Sequence, residues 1–547
     1  MLIHGNLTGL KSSQIKALER IYRRRVPPDQ IVTPELARYL TEQSLEIRRQ
    51  IGLIIDRSGT VRYVIVGDDR EIVIPDLSDY GRGRSGLRGL RCIHTHLAGE
   101  SLSEDDLTDL ALLCLDLMVV IGVGEHGLPG RVEYAHPLPP NPEGKSVEIT
   151  AVPSVYDLDL DLDRVLRSLE QELESKIAET VDLSDPREKG ILISVSQQPR
   201  YEVEDSLDEL AELARTAEVL VLDRFIQRPR QVNPKYLLGE GKVKEVIIRA
   251  LQQGATLLIF DQDLSPAQVR AITEVTDLKV IDRSQLILDI FARRAHTRDG
   301  KVQVELAQLK YILPRLIGRG VAFSRLMGGI GGRGPGETKL EIDRRRIRDR
   351  ITRLENELKN LSKGRLQRRQ RRIRSGVPII SIVGYTNAGK STLLNALTQS
   401  EVFTEDLLFA TLDTSSRRLR FPMEREVIIT DTVGFIRKLP KSLIGAFRAT
   451  LEELEDADML LHVVDISNPR FEEHIAAVEK ILDDLDLGMI PRKLVFNKMD
   501  LVSVQQVKAL CRRFDALAVS ARDRKTFEPL LEMLEGRFWP REMEGSD

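Results

Sequence analysis

The sequence is poor in cysteine, in aromatic residues and in long apolar stretches. Its 547 residues include one tryptophan and three cysteines, at positions 92, 114 and 511. Cysteines this few and this widely separated exclude a disulfide scaffold and a cysteine-rich zinc module, and they are typical of the reducing cytoplasm. The longest apolar stretch, residues 112–123, contains Asp116 and is too short to cross a bilayer. No basic-then-apolar leader follows Met1. We therefore expect a cytoplasmic protein without a membrane span.

The charges nearly cancel, and the composition predicts several folded domains. The 81 Lys and Arg residues against 84 Asp and Glu residues give a net charge of −3, which excludes a uniformly basic nucleic-acid binder. The length predicts three or four domains. We predict a multidomain α/β protein with a mixed α+β N-terminal extension (1–185), a small parallel α/β domain (186–300), a long antiparallel helical hairpin (301–375) and a doubly wound α/β domain with a short C-terminal tail (376–547). We expect the chain to be a monomer.

The hairpin is predicted from two heptad stripes that flank a glycine-rich loop. The loop, residues 318–336, contains eight glycines and is not expected to be helical. Residues 344–374 carry fourteen Lys or Arg against three Asp or Glu, a local charge of +11. Such a run is often only a solvated helix face, but in a chain of net charge −3 it favours contact with RNA phosphates. The apolar stripes are Val302, Leu306, Leu309, Leu313 and Leu316, and Ile347, Ile351, Leu354, Leu358 and Leu361.

A phosphate-binding loop is predicted between an apolar strand at 379–383 and a helix at 392–397. The segment matches G-x-x-x-x-G-K-[ST] in the strand–loop–helix context that this motif requires. Lys390 should reach the β- and γ-phosphates, and the Ser391 hydroxyl should bind Mg²⁺. Backbone N–H groups should surround the phosphates. The predicted loop consists of Gly384, Tyr385, Thr386, Asn387, Ala388, Gly389, Lys390, Ser391 and Thr392.

Three more segments at strand ends complete a guanine-nucleotide site. Asp431-Thr432-Val433-Gly434 places an acid to hold the metal through water and a glycine N–H near the γ-phosphate. Asn497-Lys498-Met499-Asp500 places a carboxylate that can accept two hydrogen bonds from guanine, an edge that adenine lacks. Ser520-Ala521-Arg522 can offer a backbone N–H to the guanine oxygen. The order of the segments makes the prediction specific.

With these motifs the sequence resembles the HflX branch of the translation-factor-class P-loop GTPases. Phe409-Ala410-Thr411-Leu412-Asp413 resembles the family's switch I, in which Thr411 would bind Mg²⁺ when a γ-phosphate is present. Residues 304–309, 328–338 and 260–266 resemble its hairpin, glycine loop and N-terminal domain. The resemblance implies GTP hydrolysis assisted by Lys390, Thr411 and Gly434, and binding to the large ribosomal subunit and its rRNA. Some members split stalled ribosomes. Residues 1–185 lie outside the short form of the family.

Phe435 leaves two interpretations of turnover open. In Ras-like enzymes a glutamine at this position, directly after the D-x-x-G glycine, orients the attacking water, and phenylalanine can neither donate nor accept a hydrogen bond. One interpretation is a nucleotide-binding module without turnover. The resemblance implies instead slow intrinsic hydrolysis that a partner stimulates, and the intact metal and phosphate groups favour it.

A second candidate site lies in the N-terminal extension. His94, His96 and Asp106 could supply three zinc ligands with one open position, as in hydrolytic zinc sites. The layout resembles the JAMM/MPN metalloprotease motif, but the spacer is one residue short, Leu97 replaces the usual proline, and no catalytic glutamate is assignable. A GTP-regulated zinc hydrolase is therefore the alternative function. The register favours a simpler interpretation, in which Ser103 caps a helix and the histidines are ordinary strand residues.

Overall fold

The computed structural model describes residues 2–77, 79–139, 141, 145–180, 185–316, 339–398, 408–409, 415–422, 425–431, 434–436 and 452–540. These residues form two compact units. The first contains residues 1–203, 220–260 and 267–280, and the second contains residues 204–219, 261–266 and 281–547. Among the described residues, no helix combines the length and the apolar character that crossing a bilayer requires.

The first unit begins with a seven-stranded mixed sheet. The strands are β1 Ile3–Gly5, β2 Ile51–Asp56, β3 Val61–Val66, β4 Leu90–His96, β5 Leu117–Val123, β6 Pro129–Pro137 and β7 Val147–Val152. Their spatial order is β1-β3-β2-β4-β5-β6-β7, and β4 and β5 pair in parallel. β2, β4 and β5 are almost wholly buried because apolar cores cover both faces of the sheet. The accompanying helices are α1 Ser12–Glu19, α2 Pro34–Ile47, α3 Glu104–Leu112 and α4 Leu162–Thr180.

A second sheet follows, with the alternation of strand and helix that the sequence predicts. Its strands are β8 Lys189–Val195, β9 Leu220–Gln227, β10 Leu257–Phe260 and β11 Lys279–Asp282, in the order β11-β10-β8-β9. β8 pairs in parallel with β9 and with β10. The helices are α5 Arg200–Thr216, α6 Glu240–Gln252 and α7 Pro266–Thr273. The prediction of a small parallel sheet is confirmed.

The second unit contains the predicted helical hairpin. α8 Arg283–Arg294 precedes α9 Arg298–Ile312, and α10 Lys339–Ser375 is 37 residues long, about 55 Å at about 1.5 Å per residue. Arg298 contacts Glu357 at 2.7 Å and Arg350 contacts Glu305 at 2.7 Å, so the two helices run antiparallel. Ile347 and Leu354 are buried, as the heptad stripe predicts. The glycine-rich loop lies outside the described residues.

The second unit also contains a six-stranded sheet. Its strands are β12 Ile379–Gly384, β13 Ser415–Arg420, β14 Glu426–Asp431, β15 Met459–Asp465, β16 Arg492–Asn497 and β17 Leu517–Ala518. The order is β13-β14-β12-β15-β16-β17, with only β13 antiparallel to its neighbour. The helices are α11 Lys390–Thr398, α12 Phe471–Asp484, α13 Val504–Phe514 and α14 Glu528–Phe538. Because β12 is central and its neighbours β14 and β15 are parallel to it, the loops after these strands meet at one edge of the sheet, as in other doubly wound folds.

Candidate nucleotide-binding site

The loop between β12 and α11 has the backbone that the phosphate-binding motif requires. Gly384 has φ +154° and Gly389 has φ +85°, a region that side chains disfavour. A Cβ at Gly384 would lie 2.2 Å from the Val463 carbonyl oxygen, and one at Gly389 would lie 2.3 Å from the Asn497 amide nitrogen. Both glycines are therefore favoured by conformation, and close approach adds to this, by the Val463 backbone at Gly384 and by the Asn497 side chain at Gly389.

The Lys390 side chain is enclosed by this loop. Its Nζ donates to the Tyr385 carbonyl oxygen at 2.9 Å, and only 6% of the residue is exposed. Burial lowers the pKa of Lys390 to about 8, and the nearby Asp431 carboxylate acts in the opposite direction. A Cβ on Gly434 would lie 3.0 Å from the same Nζ, so the glycine of the D-x-x-G segment lies against the ammonium group.

Two oxygen ligands suited to a hard cation lie side by side. The Ser391 hydroxyl, in the first turn of α11, donates to the carboxylate of Asp431 at the end of β14. The neighbouring Ser381 and Thr430 hydroxyls are hydrogen-bonded at 2.7 Å and join β12 to β14 beneath them. Hydroxyl and carboxylate oxygens are the donors that Mg²⁺ prefers, so the residues present fit the predicted metal.

Phe435 has a structural role. Only 3% of it is exposed, and its backbone pairs with the start of the phosphate loop. The Thr386 N–H donates to the Phe435 carbonyl oxygen at 2.8 Å, and the Phe435 N–H donates to the Gly384 carbonyl oxygen at 3.1 Å. Thr432 and Val433 lie outside the described residues.

At the other end of the site, Asn497 joins three loops. Its amide nitrogen donates to the Ala388 carbonyl oxygen at 2.9 Å, and its amide oxygen accepts from the Ala521 N–H at 2.9 Å. The Ser520 N–H donates to the Thr526 hydroxyl at 2.9 Å. Within the predicted segment 520–522, the backbone N–H groups of Ser520 and Ala521 are therefore engaged within the protein. The sequence pattern did not reveal this joining role of Asn497.

The remaining candidates for contact with the base lie in the two loops that contain Asn497 and its partner Ala521. Lys498 has φ +61° and pairs with Asp465 at 2.7 Å. Met499 and Asp500 form a short turn, and the Asp500 side chain is exposed. Arg522 follows Ala521 in the next loop.

Of the predicted switch I segment, the structure describes Phe409. This residue is buried at φ +56°, and its ring packs edge-on against Phe291 of α8, with 4.7 Å between centroids. Ala410, Thr411, Leu412 and Asp413 lie outside the described residues, so their roles remain predictions.

A buried polar network reaches the phosphate loop from α5 and α8. The Tyr385 hydroxyl donates to Glu209, and its ring stacks on His474 with 3.9 Å between centroids. Glu209 also accepts from Arg283 at 2.8 Å, and Arg283 contacts Asp261 at 2.6 Å. Burial alone would lower the pKa of Arg283, but the Glu209 and Asp261 carboxylates raise it above its ordinary value. Sequence reasoning missed this network because its members lie far apart along the chain.

The N-terminal candidates also come together. His94 and His96 end β4, and Asp106 lies in the first turn of α3 after the Ser103 cap. Their ligand atoms all lie within 4.8 Å of one another. Ser103 caps α3 as the simpler interpretation predicts. The histidines lie on a strand, as that interpretation also predicts, but in addition their side chains lie beside the Asp106 carboxylate.

Three family models match the chain in consecutive segments. One described as "GTP-binding GTPase N-terminal" matches residues 204–292, one described as "GTP-binding GTPase Middle Region" matches residues 294–372, and one described as "50S ribosome-binding GTPase" matches residues 379–498. Residues 1–203 lie outside all three.

Named relatives agree with these matches. GTPase HflX of Caldanaerobacter subterraneus subsp. tengcongensis is 48% identical over 354 residues, covering 65% of this chain and 81% of the relative. GTPase HflX of Escherichia coli K12 is 45% identical over 321 residues, covering 59% and 75%. A solved GTP-binding protein from Sulfolobus solfataricus in complex with GDP is 25% identical, covers 64% of this chain and 98% of that protein, and has a TM-score of 0.36. The chain belongs to the HflX family of GTPases, which bind and hydrolyse GTP.

Proposed function

We propose that this GTPase acts on the large ribosomal subunit, that its slow intrinsic turnover is stimulated there, and that it splits or rescues stalled ribosomes. The single observation that carries the proposal is the long helix α10, whose segment 344–374 has a net charge of +11 and which precedes the nucleotide-binding sheet directly. A matching family model bears the description "50S ribosome-binding GTPase", which supports the same partner.

The described part of α10 offers cations to solvent. Arg346, Arg348 and Arg353 are exposed, whereas Ile347 and Leu354 face the hairpin core. The helix therefore separates an apolar face from a cationic one. RNA helices are recognised mainly through shape and phosphate contacts, and an exposed cationic helix face supplies the charge for them. We propose the same RNA contact for further arginines whose side chains lie outside the described residues. These are Arg365, Arg368, Arg369 and Arg371 of α10 and Arg319, Arg325 and Arg333 of the glycine-rich loop.

Within the site, Lys390 is proposed to bind the β- and γ-phosphates. Its ammonium group would then give up the hydrogen bond to the Tyr385 carbonyl oxygen and donate to the phosphates instead. Ser391 and, in the triphosphate state, Thr411 would hold Mg²⁺ directly, and Asp431 would hold it through water. Mg²⁺ would neutralise charge on the phosphate oxygens. Gly434 would offer its N–H to the γ-phosphate, and its place against Lys390 supports this.

Guanine recognition is assigned to Asp500, whose exposed carboxylate would accept two hydrogen bonds from the base. Asn497 would position the base pocket, since it already joins the phosphate loop to the 520–522 loop. A guanine oxygen would compete with Asn497 for the Ala521 N–H. This arrangement supports GTP over ATP.

Stimulation by a partner is proposed because the position after Gly434 lacks a water-orienting side chain. The Phe435 ring is buried and carries no hydrogen-bonding group, and the backbone of this residue is already paired with the phosphate loop, so it cannot orient water. Positioning by a partner is worth roughly 10³–10⁵ in rate in related enzymes.

Co-sedimentation of the full chain with large ribosomal subunits across a salt series tests the proposal. Reversing Arg346, Arg348 and Arg353 to glutamate should weaken binding and flatten the log–log salt slope by about 2–3, because each phosphate that is no longer neutralised changes the slope by roughly 0.7–0.9. A matched control reverses Arg23, Arg164 and Arg167, three exposed arginines of the N-terminal region. If both triple variants bind alike, the hairpin does not contact the RNA and the proposal is wrong.

A further inference from the structure

The N-terminal sheet brings three metal-binding side chains to one point. His94 and His96 are two residues apart on β4, so their side chains leave the same face of the sheet. Their Nε2 atoms are 3.1 Å apart. Asp106 Oδ1 lies 3.3 Å from His94 Nε2, and Asp106 Oδ2 lies 3.7 Å from His96 Nε2. His94 is fully buried and 5% of His96 is exposed.

These separations are those of ligands around one tetrahedral zinc ion. Zinc bonds to imidazole nitrogen or carboxylate oxygen are about 2.0–2.2 Å long, so ligand atoms at a tetrahedral angle lie about 3.4 Å apart. The distance of 3.1 Å between the two Nε2 atoms and the distance of 3.3 Å from His94 Nε2 to Asp106 Oδ1 are close to that value. His96 Nε2 lies 3.7 Å from the other carboxylate oxygen, Oδ2, and one ligand atom from each residue lies within 4.8 Å of the other two. A rotation of the Asp106 carboxylate that brings one oxygen closer to both histidines would let a single ion contact all three side chains.

The surroundings orient two of the ligands for a metal. His96 Nδ1 lies 3.0 Å from the Glu100 carbonyl oxygen, a contact that requires hydrogen on Nδ1 and leaves the Nε2 lone pair directed at the cluster. Metal-bound histidines are characteristically held in this way. The Ser103 N–H and hydroxyl both donate to Asp106 Oδ2, at 2.8 and 2.7 Å. Asp106 Oδ1 is then directed at His94.

We propose that the N-terminal region binds one Zn²⁺ ion through His94 Nε2, His96 Nε2 and Asp106. Two imidazoles and one carboxylate suit Zn²⁺ better than Mg²⁺ or Ca²⁺, which prefer oxygen. Within the described part of the chain, these three residues form the whole ligand group. The fourth position is therefore open to water or to an oxygen of a small polar ligand, as in zinc sites that act as Lewis acids. The three ligands belong to the first unit, whereas the candidate nucleotide site and α10 belong to the second.

Metal analysis of the full chain tests the site. The protein is stripped with a chelator, reconstituted with ZnCl₂, dialysed, and assayed for zinc by mass spectrometry and for affinity by competition with a chromogenic chelator. Asp106→Asn keeps the size of the side chain. Asp105→Asn is the matched control, since the Asp105 side chain is 88% exposed and lies outside the cluster. Unchanged circular dichroism and GTP turnover show that each variant is folded.

We expect about one zinc per chain in the unmodified protein and in Asp105→Asn. Loss of a residue that only holds a ligand in place weakens metal binding by up to about 100-fold, so loss of the ligand itself in Asp106→Asn should weaken zinc affinity by at least about 100-fold. His96→Gln gives a second test should Asp106→Asn fail to fold. X-ray absorption of the zinc-loaded protein should show nitrogen or oxygen ligands near 2.0 Å. Absence of stoichiometric zinc, equal affinity in both aspartate variants, or a zinc–sulfur distance would overturn the proposal.

Discussion

Tyr385→Phe tests whether the polar network behind the phosphate loop stabilises the second unit. The change removes one hydroxyl and keeps the ring that stacks on His474 at 3.9 Å. The hydrogen bond that disappears runs to Glu209, which keeps its contact with Arg283 at 2.8 Å. The perturbation therefore isolates the link between the loop and the network.

The expected decrease in the free energy of unfolding follows from the charge and the burial of the hydrogen-bonding partners. A hydrogen bond to a charged group contributes about 1.5–3 kcal/mol. Because Glu209 retains Arg283, we expect the lower end, about 1.5 kcal/mol, for Tyr385→Phe. Glu209→Ala removes one of two carboxylates from Arg283, whose side chain is 2% exposed; because Asp261 still pairs with Arg283 at 2.6 Å, we expect the lower end of the range for breaking a buried ion pair, about 3 kcal/mol.

Urea unfolding of both variants and of the double variant measures the coupling energy directly. The double-mutant cycle should give an interaction energy of at least about 0.5 kcal/mol between positions 385 and 209. Tyr156→Phe, at a tyrosine that is 74% exposed, is the control and should change nothing. Additive losses at 385 and 209 would refute the reasoning, because the hydroxyl would then act independently of Glu209.

Two further predictions concern the base and a buried histidine. Asp500→Asn should shift preference from GTP toward XTP, because an amide reverses half of the hydrogen-bond pattern; an unchanged GTP preference in competition titrations would contradict the assignment. Burial is the largest cause that lowers the pKa of His462 to about 3, and the positive charges of Arg492 and Lys390 lower it further. The unfolded chain therefore binds a proton at His462 more readily than the folded chain does. As a result, the free energy of unfolding is not reduced by this group above about pH 6.5. Below that pH it falls by roughly 1.4 kcal/mol per pH unit, which amounts to about 2 kcal/mol by pH 5. His462→Leu should flatten this pH dependence of urea unfolding, and an identical slope in both proteins would show that other groups cause it.

Local patterns predicted the strand–loop–helix arrangement of the candidate nucleotide site, and the roles of its residues stay predictions. The phosphate loop was predictable because spacing and context lie within about fifteen residues, and because each later segment follows its own apolar strand. The hairpin was predictable from its two heptad stripes, since Ile347 and Leu354 repeat at helical spacing and are buried.

Contacts between distant segments were not predictable. The bond from Tyr385 to Glu209 joins positions 176 residues apart, and no local pattern marks either one. Asn497 was assigned by its motif, but its bonds to Ala388 and Ala521 depend on how three loops converge. The short spacer before Ser103 argued against a metal cluster, yet the Ser103 cap places Asp106 beside both histidines.

The most direct test of the central claim is GTP turnover by the full chain with and without large ribosomal subunits. We predict slow turnover alone and stimulation of at least tenfold by subunits, because positioning by a partner can supply up to roughly 10³–10⁵ in rate. The Arg346, Arg348 and Arg353 reversal should keep the intrinsic rate and lose the stimulation. Equal rates with and without subunits, or full stimulation of that variant, would contradict the account.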